Sequence, residues 1–175
     1  HKFGGPRGAG VLIVRHQPYR AAPAALICGG MQEHGLRAGT ENVAGAAGFA
    51  EALELATDDE ADCIEGLRSS LEHRLCEHFP DCLIHGEEAP RATGITSVAL
   101  PGKDGAELQR QLDSKGVCVG VGSACHGDSG GAGSPTLRAM GVAPELAAAT
   151  LRISLGWSTT LEDIDALFDA LQAEY

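Results

Sequence analysis

Long apolar runs are missing from these 175 residues: none approaches the ~18 that a membrane-crossing helix needs. No Cys-x-x-Cys pair and no Cys/His ligand spacing occurs, so a metal centre has no support in the sequence. The glycine clusters are not followed by Gly-Lys-Ser/Thr, and Gly-x-Gly-x-x-Gly is absent, which removes the common phosphate-loop and dinucleotide fingerprints. Basic residues are few. Thirteen Lys and Arg against 24 Asp and Glu leave a net charge of −11, which argues against nucleic acid or an anionic membrane as the main partner. The first residues, His1-Lys2-Phe3, include no initiator Met and no secretory signal, so the expected setting is cytoplasmic and the beginning of the protein is expected to be missing. Six cysteines stand at 28, 63, 76, 82, 118 and 125, and the expectation is reduced thiols, since a chain of this size can build a core without disulfides.

What is present is glycine, 24 of 175 residues and about twice the usual share of roughly 7%. Charge is unevenly spread as well. Residues 51–90 hold twelve acids against Arg68 and Arg74, read as the solvated face of a helix, whereas residues 1–50 carry a net of +3. Ala9 to Val14 reads as a buried strand, residues 28–42 as a loop, and 42–79 as helical, with a possible division at Gly66 or at Asp58-Asp59. Strands are predicted at 82–85, 94–100, 117–121 and 151–155. Asp104 suits the cap of a helix over 105–115, and Pro135 and Pro144 suit helix starts. Thr160 with Asp163 forms a capping box ahead of a stripe of Leu161, Ile164, Leu167, Phe168 and Leu171. Strands alternating with helices indicate an α/β or α+β chain, with a domain boundary near 57–60.

Three places could carry chemistry. Cys125, in Gly122-Ser123-Ala124-Cys125-His126-Gly127, stands among small residues on a glycine-rich loop, either as a thiol without the packing that keeps a structural one inert or, as readily, as a small apolar residue in a turn. The other five cysteines are read as structural. Lys2 precedes the turn Phe3-Gly4-Gly5-Pro6-Arg7-Gly8, which could hold and desolvate its amine for attack on a carbonyl, although a lysine so placed is more often simply solvated. Arg152 sits mid-strand in Leu-Arg-Ile-Ser-Leu-Gly, where a guanidinium suits a carboxylate, or else merely faces solvent.

The order and spacing of four motifs carry a resemblance that covers nearly the whole chain. His1-Lys2-Phe3-Gly4-Gly5-Pro6-Arg7-Gly8, then Gly29-Gly30-Met31-Gln32-Glu33 through Arg37-Ala38-Gly39-Thr40-Glu41-Asn42, then Gly122-Ser123-Ala124-Cys125, then Leu151-Arg152-Ile153-Ser154-Leu155-Gly156 resemble the pyridoxal-phosphate-dependent cysteine desulfurases of the class V aminotransferase superfamily. The long glycine-rich cysteine loop is similar to that of group I. The resemblance implies an α/β chain, the C-terminal part of a fold type I transferase, with residues 1–58 belonging to the large cofactor domain and 59–175 forming a small α+β domain. It implies that Lys2 bonds pyridoxal 5'-phosphate and then moves protons on the substrate, and that His1 contacts the cofactor phosphate. Thr40 would reach the phosphate of the neighbouring subunit in a homodimer. Arg152 would clamp the α-carboxylate of L-cysteine. Cys125 would take its sulfur as a persulfide for an acceptor protein, in iron–sulfur assembly or thio-modification. It also implies a long upstream segment with the residues that pair with and stack on the cofactor ring, so these 175 residues alone are expected to be inactive. Cys125-His126-Gly127-Asp128 with Ser134-Pro135 resembles selenocysteine lyase too, which makes L-selenocysteine the alternative substrate. An ordinary class V aminotransferase and a non-catalytic interaction module are the remaining alternatives.

Overall fold

A computed structural model of the chain describes residues 2–14, 23–121 and 134–173, and its longer helices begin where side chains or charge can serve the free N–H groups of a first turn. Asn42 starts α1 (Val43–Leu55) by accepting a hydrogen bond from Gly45 N at 3.0 Å. In α2 (Asp58–His78) the first turn holds Asp58, Asp59 and Glu60, which suit the positive end of a helix. The long helical stretch is therefore divided at the aspartate pair, while Gly66 stays inside α2 at a cost of about 1 kcal/mol relative to alanine. The chain forms two compact units, His1–Thr57 and Asp58–Tyr175.

In the first unit the expected strand over Ala9 to Val14 does not form. These residues are irregular, and the large apolar side chains among them are exposed, from 54% at Val14 to 87% at Ile13. A buried strand needs neighbours for its backbone and a face for its side chains, and the described residues of this unit hold no sheet to supply either. Residues 28–42 are a loop as predicted, tightened by a single 3-10 turn, Gln32–Gly35. Glu33 and His34 there adopt φ of 50° and 57°, the left-handed region that residues other than glycine seldom occupy.

In the second unit three antiparallel strands, β1 (Leu83–Ile84), β2 (Ile95–Ala99) and β3 (Thr150–Ser154), lie in that order. Register sets the two faces. Val98 opposite Leu151 and Thr96 opposite Ile153 are buried beneath α2, α3 (Gly105–Ser114) and α6 (Leu161–Gln172), whose Leu71, Leu75, Leu108, Leu112 and Phe168 complete the core. Ala99 opposite Thr150 and Ser97 opposite Arg152 form the other face. Asp104 caps α3 by accepting from Ala106 N and Glu107 N, and the short helices α4 (Pro135–Ala139) and α5 (Pro144–Ala148) both open on proline. The strand predicted at 117–121 reduces to one bridge, Gly120 to Arg152. Its beginning is spent on closing α3, since Val117 N donates to Leu112 O at 3.0 Å.

Thr160 and Asp163 make the predicted capping box, and Ile164, Leu167, Phe168 and Leu171 of the stripe are buried. Leu161 is not; at 54% exposure it overhangs the first turn of α6. Thr160→Ala is expected to lower the unfolding free energy by about 1 kcal/mol in urea titration. An unchanged midpoint would show that core packing alone holds the start of α6.

Candidate functional site

The lysine turn is built on the small residues of α1. Gly4 and Gly8, with φ of +87° and +84°, reverse the chain on either side of Gly5-Pro6-Arg7. The Phe3 ring stands edge-on to Phe49 of α1, with centroids 5.1 Å apart at 90°. Pro6 lies so close to Gly48 that a Cβ there would meet its Cγ at 3.3 Å, and one on buried Gly5 would meet the Phe3 ring at 3.4 Å. Phe3 and Pro6 thus fasten the turn, and Lys2 at its start is exposed.

The second element of this unit is the loop reaching Thr40. Leu26 N donates to Leu36 O at 2.7 Å and Ala38 N to Ile27 O at 2.9 Å, which pins buried Ala38. Gly39 then turns with φ +102°, and exposed Thr40 follows it, two residues before the Asn42 cap of α1.

Arg152 belongs to the second unit, half-buried at the centre of β3 on the face away from the core. Its neighbours across the sheet are Ser97 on one side and Gly120 on the other. Beyond Ser97 comes His85, whose N–H donates to Ser97 O at 2.8 Å. His85 Nε2 lies 3.0 Å from Thr150 Oγ1, and the Thr150 hydroxyl donates to Leu146 O at 2.6 Å. The threonine proton being spent on Leu146, Nε2 of His85 carries the hydrogen; burial holds this imidazole below its ordinary pKa.

His1 and Cys125, with the whole Gly122-Ser123-Ala124-Cys125 element, lie outside the described residues. Lys2 and Thr40 share the first unit, and Arg152 stands in the second. Four of the five cysteines read as structural are exposed free thiols, Cys28, Cys63, Cys76 and Cys118, because they fall on solvent-facing positions. Cys82 is half-buried with its thiol 3.9 Å from that of Cys76. Burial, and then the Cys76 contact, push its pKa up to about 12. The acidic stretch is not wholly a solvated face either: Glu72 is enclosed with Arg68, Arg91 and Thr96. Among the described residues no three His, Cys, Asp or Glu stand together as a metal site, and no helix is long and apolar enough to cross a membrane. Sequence reading missed the glycine beside Arg152; its one signal was a glycine within a predicted strand, a mark of close approach by another group.

An exposed primary amine, an exposed hydroxyl on a glycine turn and a half-buried guanidinium are the donors that an aldehyde, a phosphate and a carboxylate require. Taken singly, the amine and hydroxyl of the first unit suit pyridoxal phosphate, and the guanidinium of the second suits a carboxylate. The family model for class-V aminotransferases matches residues 1–167. The cysteine desulfurase of Sinorhizobium fredii is 38% identical over 178 residues, which take in 99% of this chain and 44% of that protein. The cysteine desulfurase of Cereibacter sphaeroides is 36% identical over 174 residues, 98% of this chain and 43% of that one. A NifS-like protein of known structure shares the fold with a TM-score of 0.79 at 32% identity, covering 99% of this chain and 44% of its own. The chain spans less than half the length of the curated relatives it matches. Family members work with pyridoxal phosphate. With a match running from residue 1 to 167 and the fold shared along nearly its whole length, the chain belongs to the class-V aminotransferase family.

Proposed function

We propose that this chain supplies the C-terminal part of a cysteine desulfurase, which converts L-cysteine to L-alanine and holds the sulfur as a persulfide on Cys125. The observation that carries the reading is similarity to named cysteine desulfurases along 98–99% of the chain, beside a family match over residues 1–167 that takes in Lys2, Thr40, Cys125 and Arg152. Pyridoxal phosphate, when bound, supplies the electron sink. Lys2 would hold the cofactor through its amine and would carry protons to and from the substrate carbon. His1 and Thr40 hold phosphate, Thr40 that of a second subunit in a homodimer. Arg152 holds the α-carboxylate in a bidentate grip. Cys125 accepts sulfur and passes it to an acceptor protein in a cytoplasmic iron–sulfur or thio-modification route.

The test uses the protein encoded by the complete reading frame, with pyridoxal phosphate, L-cysteine and a thiol reductant. Alanine and sulfide are expected in equal amounts. The 175 residues alone, under half the length of such an enzyme, are expected to give neither. Selenide from L-selenocysteine with no sulfide from L-cysteine would make the enzyme a selenocysteine lyase instead. Amino transfer to a 2-oxo acid without sulfur release would make it an ordinary aminotransferase.

A further inference from the structure

Gly120 and Arg152 face one another as an antiparallel pair, Gly120 N donating to Arg152 O at 2.9 Å and Arg152 N to Gly120 O at 2.6 Å. A Cβ on Gly120 would stand 2.9 Å from Nη2 of Arg152, 3.3 Å from Cζ and 3.5 Å from Nε. All three atoms belong to the guanidinium, so that group lies against the glycine in the space that any side chain would fill. Gly120 is not among the glycines with positive φ, so its backbone makes no demand for glycine. The demand is for room. Ser97, opposite Arg152 on its other side, is also small, so the arginine has low neighbours on both flanks.

We propose that Gly120 is a positioning residue for Arg152, leaving open the bed in which the guanidinium rests and so setting its height for a substrate carboxylate. This rests on the reading of Arg152 as the carboxylate clamp. Bidentate recognition needs the two planes aligned, and a side chain at 120 lifts the guanidinium off the strand and spoils that alignment. The effect falls on substrate binding and leaves the reacting groups untouched.

In the complete protein, Gly120→Val is expected to raise KM for L-cysteine about tenfold, or 1.4 kcal/mol, with kcat held within about twofold. Gly120→Ala, the safer variant for folding, is expected to raise KM about threefold. In an Arg152→Lys background Gly120→Val should add almost nothing, because the group it displaces is gone. A merely structural role would lower kcat and the thermal midpoint with both arginine and lysine at 152, and that result overturns the proposal. A readout independent of activity is the rate at which phenylglyoxal modifies Arg152 without substrate, followed by peptide mass. Gly120→Val should speed it about fivefold by lifting the half-buried guanidinium. An unchanged labelling rate overturns the proposal. Faster labelling with an unchanged KM overturns the substrate role. If the unaltered protein forms no alanine from L-cysteine, the desulfurase reading falls, and labelling still decides whether Gly120 positions Arg152.

Discussion

Cys125→Ala is expected to lower alanine formation from L-cysteine by about a thousandfold or more, while the protein still takes up pyridoxal phosphate. In the step assigned to Cys125, its thiolate bonds the substrate sulfur as the substrate's Cβ–S bond breaks. The electron pair of that bond passes to the carbon skeleton, which takes up a proton and leaves as alanine. The sulfur stays on the protein as a persulfide, and no outside oxidant or reductant is needed. Without the thiol, the C–S bond has no acceptor for its sulfur, whereas on the proposed reading cofactor uptake falls to Lys2, His1 and Thr40. The measurement is alanine produced per cofactor bound, with the absorbance of bound pyridoxal phosphate as the control. Undiminished alanine with accompanying sulfide from Cys125→Ala would remove the cysteine from the mechanism and the reason for calling the protein a desulfurase. Loss of cofactor uptake in the same variant would put Cys125 in the binding site rather than in sulfur transfer.

Glu72→Ala is expected to cost about 3 kcal/mol of stability, because it leaves two enclosed guanidinium groups without their shared counter-charge. The two carboxylate oxygens of Glu72 accept from Arg91 Nη1 at 2.7 Å and Nη2 at 3.0 Å, and Thr96 Oγ1 donates to one of them at 2.8 Å. Arg68 Nη1 approaches to 3.6 Å. Side-chain exposure is 12% for Glu72, 17% for Arg91 and 8% for Arg68, so water replaces little of what the variant removes. Among the described residues Arg68 would keep Glu65, at 2.9 Å, and its buried Nε has no hydrogen-bond partner there already. Burial works to raise the Glu72 pKa. The hydrogen bonds from Arg91 and Thr96 and the charges of Arg91 and Arg68 outweigh it and hold the carboxyl below its ordinary value of 4.5. A group with a depressed folded-state pKa contributes fully above its unfolded pKa. That contribution is lost as pH falls through the folded value, so acid should narrow the stability difference between the unaltered protein and Glu72→Ala. Urea titration at neutral and acidic pH, with an unchanged slope, measures both effects. A loss well under 1 kcal/mol at neutral pH would mean that the two arginines find water or other partners once the carboxylate is gone.

Local rules were legible in the residues themselves. Asp104, Asn42, Thr160 with Asp163, and the prolines at 135 and 144 each satisfy or remove a backbone N–H within a few positions of their own, so they mark helix starts without help from the rest of the chain. The alternation in residues 151–155 likewise announces a half-buried strand, which forms over Thr150–Ser154. Residues 9–14 were misread because an apolar run says only that burial is favourable. Whether a strand forms depends on a partner elsewhere, and Val117 to Val121 failed for a related reason, its first N–H being claimed by Leu112 O.

Of the candidate site, the types of chemistry and their order along the chain came from sequence: an amine at Lys2, a hydroxyl at Thr40, a thiol at Cys125, a guanidinium at Arg152. Those are properties of single residues and their immediate neighbours. Tertiary structure decided which groups support them. Phe49 and Gly48 of α1 hold the Lys2 turn, Glu72 is enclosed with two arginines when its helix looked solvated, and Gly120 lies under the Arg152 guanidinium. Such contacts join residues well separated along the chain, brought together by a turn or by sheet register, as in the pair of residues 120 and 152. Register and packing space belong to the folded chain: a glycine within a predicted strand signals a close approach there, and only the register names Arg152 as the group that approaches.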